Sequence, residues 1–117
     1  MKARFIIAAL LAAGSVNFAS AATLTSSTAL CAATGAGNGT AVTTSATGYL
    51  QAGFTPTCSA NTHLAAMEDA VQVGVCASSK KGKNYFGGNT NGASPNVSSA
   101  CPSTGCVAKA ATVAGCS

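Results

Sequence analysis

Acid–base chemistry has little to draw on in this chain, which holds one glutamate, one aspartate and one histidine: Glu68, Asp69 and His63. Adjacent residues on a helix point about 100° apart. Glu68 and Asp69 are therefore poorly placed to share a substrate and are expected as solvated surface carboxylates. His63, Asp69 and one of the many serines could form a triad only by being brought together in space. No G-x-S-x-G elbow accompanies them, and His63 is expected to be an ordinary helix-start residue. A phosphate-binding loop, a dinucleotide fingerprint and an H-E-x-x-H helix are also missing from the sequence. Gly35, Gly37 and Gly39 alternate, but no G-K-S/T follows them. A non-enzymatic protein is expected, and a small hydrolase is the weakest alternative.

Cysteine offers the second chemistry. Cys31, Cys58, Cys76, Cys101, Cys106 and Cys116 are even in number and fall in a short chain with an export-type start, which points to three disulfides. Zinc sites favour close C-x-x-C pairs. Here the only close pair, Cys101 and Cys106, has four residues between its members, and His63 is the sole imidazole. A thioredoxin-like redox site would also need C-x-x-C. No metal or cofactor is expected. Six cysteines allow about fifteen connectivities and spacing does not choose among them. Pro102 to Gly105 could turn tightly enough to join Cys101 with Cys106, though each could equally reach a distant partner.

The positions that precede this chemistry have the layout of a secretory signal. Lys2 and Arg4 lead an apolar run from Phe5 to Ala13, then Gly14, Ser15 and Asn17, and Ala19 and Ala21 straddle Ser20 in an A-x-A pattern. The expected organisation is a cleaved leader over 1–21 and one disulfide-rich domain over 22–117. The apolar run is well short of the ~20 residues a membrane span requires, and no later stretch is longer. No transmembrane segment is expected after cleavage. The first cysteine, Cys31, is too far from the cleavage site for a lipoprotein, and nothing after Gly14 matches the long apolar helix of a type IV pilin.

Charge and composition narrow the partners. The domain would keep four lysines and no arginine, and only 7% of the whole chain is charged. So few cations argue against nucleic acid, whose binding depends on counterion release. The 48% apolar fraction includes much alanine. Sixteen larger apolar side chains remain in the domain, a thin core that needs stapling. Low charge with abundant Ala, Ser, Thr and Gly resembles, in composition only, the subunits of exported bacterial fibres and adhesins.

The elements that must position these residues read as α+β: a small disulfide-stabilised domain of short antiparallel strands with one main helix near 62–76. Threonine-rich stretches over 24–30 and 40–47 suit strands. Ser59, Asn61 or Thr62 could cap a helix in which Leu64, Met67, Val71 and Val75 fall on one face. Val71, Val73 and Val75 also alternate as a strand would, so the helix could stop near Val71. The segment 107–113 suits either a strand or a short helix.

Beyond Cys76, Lys80, Lys81 and Lys83 precede Tyr85 and Phe86. Lysines there suit a solvated helix end, while aromatic side chains beside cations can form an interface. These five residues are the candidate binding patch. The expected protein is periplasmic, secreted or on the cell surface and acts by binding another envelope or surface protein, as an accessory or structural component of a pilus-type appendage. A secreted effector, toxin or inhibitor is the alternative. Reduction of all six cysteines is expected to abolish the cooperative thermal transition, which melts recorded with and without reductant will test.

Overall fold

The structure, a computed structural model, describes residues 21–92 and 94–117. Residues 1–20 of the expected leader lie outside that range. All regular structure among the described residues is β: β1 (Thr28–Ala32), β2 (Gly37–Asn38), β3 (Thr57–Cys58), β4 (Thr62–Glu68), β5 (Val73–Ser79), β6 (Asn84–Asn89), β7 (Asn96–Ala100), β8 (Ala111–Thr112) and β9 (Gly115–Cys116). Five strands form one antiparallel sheet in the order β1-β4-β5-β6-β7, while β2-β3 and β8-β9 are small separate pairs.

The α+β expectation is therefore corrected to all-β, because the segment expected as a helix near 62–76 is the hairpin of β4 and β5. Their ladder runs from Thr62↔Ser79 to Glu68↔Val73. Asp69 makes the turn, with its Oδ1 accepting the backbone N–H groups of Val71 and Gln72 at 2.8 and 2.9 Å, an Asx-type closure. The helical spacing misled for a physical reason. A strand with one buried face alternates polar and apolar residues, whereas a strand buried on both faces reads as a continuous apolar run. In β4, both Ala65 and Ala66 are buried although they point to opposite faces. Long-range pairing overrides the helix propensity of Leu-Ala-Ala-Met.

On one face, Leu24, Leu30 and Val42 pack with Ala66 and Val73, flanked by Leu50 and Leu64. Leu30 belongs to β1, and the cover that brings in Leu24, Val42 and Leu50 is an irregular coil. The expected strand at 40–47 reduces to single bridges of Val42 with Ala22 and Phe54. On the opposite face, Ala65, Cys76, Tyr85, Cys106 and Ala111 form a second cluster, joined by Met67, Cys101 and Cys116. The β8-β9 hairpin supplies this cover. It lies so close to the sheet that a Cβ on Gly74 would overlap the carbonyl oxygen of Thr112.

Three disulfides are present: Cys31–Cys58, Cys76–Cys116 and Cys101–Cys106. The first ties β1 to β3, the second ties central β5 to β9, and the third closes a short loop after β7. Loop-closure entropy ranks them. Sequence separations of 27, 40 and 5 correspond to about 3.5, 4 and 2 kcal/mol respectively. The largest contribution falls on the bridge that holds the C-terminal hairpin against the sheet.

Gly74→Ala is expected to lower stability by about 1–3 kcal/mol, the usual cost of overpacking. Urea melts will measure the loss, and hydrogen exchange should accelerate first in the C-terminal hairpin.

Candidate binding site

The acid–base residues do not converge. His63 is near the start of β4 and Asp69 just past its end. At about 3.3 Å per strand residue they are some 20 Å apart, too far for a triad. Glu68 is not the solvated carboxylate expected from sequence. It is 2% exposed, its backbone N–H donates to the carbonyl of Leu24 at 2.7 Å, and its Oε2 accepts the backbone N–H of Leu50 at 2.9 Å. It thus clamps the 48–51 loop over the sheet. Its second oxygen, Oε1, is buried with no hydrogen-bond partner, as is Nδ1 of His63. His63 belongs to β4, not to the start of a helix.

The five residues of the expected patch separate into three environments. Lys80, Lys81 and Lys83 are at the tip of the β5-β6 hairpin, where the Gly82 backbone N–H donates to the Ser79 carbonyl at 2.7 Å. There is no helix end for them to occupy. Tyr85 and Phe86 are consecutive on β6, so they point to opposite faces. Tyr85 is 5% exposed in the second core cluster. Its hydroxyl accepts the Val107 backbone N–H at 3.3 Å, and the Lys109 ammonium sits 4.8 Å from its ring centroid while donating to Ser99 Oγ at 2.9 Å. Tyr85 therefore anchors the C-terminal segment and leaves the accessible patch. Phe86, 46% exposed, stays at the surface.

Phe86 acquires neighbours that linear order conceals. Its cross-strand partners are Ala77 on β5 and Val97 on β7, and Val75 shares their face two residues before Ala77. Val97 is 57% exposed and Val75 36%. The coil that covers β1, β4 and the start of β5 does not extend over this outer half of the sheet. Only the strand register places Val97 beside Phe86. No local motif in the sequence signals it.

The lysines have a different setting. Lys80, Lys81, Gly82, Lys83 and Asn84 form one wall of a cleft of about 700 Å³, and the disulfide-closed loop from Cys101 to Gly105 forms the other. The walls are held together by the Cys101 backbone N–H, which donates to the Lys83 carbonyl at 2.8 Å. Gly105, at φ +113°, lets the loop press on the Lys80 carbonyl where a side chain would collide. No carboxylate lines this cleft. Two other hollows, beside Cys31–Cys58 and along the 48–51 loop, are lined by uncharged residues.

With this geometry in view, comparison with protein-family models, curated proteins and solved structures finds no match.

Tyr85→Ala is expected to cost about 3–5 kcal/mol, as for a large buried aromatic residue, whereas Phe86→Ser should leave the melting temperature within about 2–4 °C, as for surface positions. Thermal melts of the two variants will check that adjacent aromatics do separate jobs.

Proposed function

We propose that this protein is an exported, disulfide-stabilised component of the bacterial cell envelope that works by binding another envelope or surface protein, as an accessory or structural part of a pilus-type appendage. The observation that carries the reading is the outer half of the sheet, where Val75, Phe86 and Val97 form an exposed apolar row. A contiguous apolar patch rimmed by polar residues is characteristic of protein contact surfaces. Aromatic residues, phenylalanine included, are enriched at protein interfaces relative to the rest of the surface. The partner expected on it is a protein with a complementary apolar surface.

Location supports the same reading at a coarser level. Three disulfides fit an extracellular or otherwise oxidising compartment. Among the described residues no helix is long and apolar enough to cross a membrane. The assignment to the periplasm or cell surface draws on the leader-like start of the sequence. A role without catalysis rests on the separation of His63 from Asp69 and the burial of Glu68.

The double variant Phe86→Ser with Val97→Ser should retain the native melting temperature yet lose on the order of tenfold or more in partner capture from envelope extract, as expected for a central interface cluster. A gene deletion should impair appendage assembly. Unchanged capture by the folded double variant overturns the assigned surface, and purified protein that inhibits target cells unaided overturns the assembly role.

A further inference from the structure

We infer that the cleft between the β5-β6 hairpin tip and the Cys101–Cys106 loop is a binding site for phosphate groups carried by a component of the cell envelope. The inference is independent of the apolar row and of the protein partner assigned to it. Three of the four lysines outside the leader-like segment line this one cleft. Glu68 is buried, and Asp69 is in the β4-β5 turn, at the opposite end of those strands from the lysine tip. The positive charge at this end of the sheet is therefore not neutralised locally.

The polar side chains of the cleft are also unspent. Among the described residues, the ammonium groups of Lys80, Lys81 and Lys83, the hydroxyls of Ser103 and Thr104 and the side-chain amide of Asn84 have no hydrogen-bond or ion-pair partner. This donor-rich set includes three full charges. Phosphate oxygens need such a set: strong acceptors with up to two negative charges on a monoester. Lysine binds phosphate as a mobile point charge, whereas the planar fork of arginine matches carboxylate and phosphate alike by shape. Three lysine charges on one cleft match a phosphate monoester, which carries up to two negative charges, better than an isolated carboxylate, which carries one.

The cleft is held in shape before any ligand arrives. One wall is a tight hairpin turn, and the other is closed covalently by Cys101–Cys106 and fastened to the first through Lys83 and Gly105. Ordering cost on binding is thus confined to lysine side chains. Phosphate of this kind could belong to an anionic lipid headgroup or to a soluble phosphorylated polymer.

The test uses the oxidised protein with two probes: tripolyphosphate, followed by amide chemical shifts, and vesicles of phosphatidylglycerol mixed with phosphatidylcholine, followed by co-sedimentation. Tripolyphosphate should shift the amides of residues 80–84 and 103–105. K80A/K81A/K83A should weaken binding on the order of 100-fold at unchanged melting temperature, at about fivefold for each lysine near an anionic surface. Lys109→Ala, outside the cleft, should change it less than about twofold. Sedimentation with the mixed vesicles but not with phosphatidylcholine alone assigns the phosphate to a lipid headgroup. Tripolyphosphate binding without vesicle binding assigns it to a soluble polymer. Shifts spread over all lysines, equal losses in the Lys109 variant, or polyglutamate binding as tightly as tripolyphosphate would each reduce the site to an ordinary solvated hairpin and overturn the inference.

Discussion

The pairing of β4 with β5 is the constraint from which the rest of the structure follows. Its unbroken ladder from Thr62↔Ser79 to Glu68↔Val73 assigns each residue of the hairpin to one of two faces. One face then gathers Ala66 and Val73 for the N-terminal coil, and the other gathers Ala65 and Cys76 for the C-terminal hairpin. A slip of one residue would exchange the two sets. It would carry Cys76 away from Cys116 and turn the Gly74 position, where the C-terminal hairpin makes its closest approach, to the wrong side.

Sandwiching a sheet between an irregular coil and a small hairpin is how this chain manages with few large side chains. Among the described residues, seven larger apolar ones, Tyr49, Phe54, Phe86 and Val97 among them, remain exposed. Alanines, half-cystines and close backbone contact occupy the space a bulkier core would fill. Small side chains remove less apolar area from water. The covers are accordingly fastened by bonds that do not depend on area: Cys76–Cys116 for the C-terminal hairpin, Cys31–Cys58 for the outer strand, and the Glu68 carboxylate for the 48–51 loop. What the covers leave bare is the Phe86 row on one face and the lysine cleft at one end.

How much of this could be read from the residues depends on whether a feature is local. The six cysteines declared three bridges by number and setting, and Cys101–Cys106 was foreseeable as a possibility because its turn is self-contained. The hairpin at 62–79 is not legible as strands because both faces of β4 are buried, which erases the alternation that identifies a strand. The candidate patch was half legible. Its lysines are neighbours in the chain and stay neighbours at a turn. Tyr85 and Phe86 are also neighbours in the chain, but a strand sends them to opposite sides, one to hold Val107 and Lys109 and the other to solvent.

By itself, then, the sequence determined composition-level properties: a small cysteine-paired domain, scant catalytic machinery, and a charge supply concentrated in one short lysine run. These depend on which residues are present and on contacts made within a few positions. Tertiary structure alone decided that the chain is all-β, that Glu68 is a buried clamp, that Val97 joins Phe86, and that the Cys101–Cys106 loop faces the lysines to make a cleft. Each of those outcomes depends on strand register between segments distant in the chain. Pairing energy of that kind comes from the partner strand and the covers on both faces, so no local window of residues contains it.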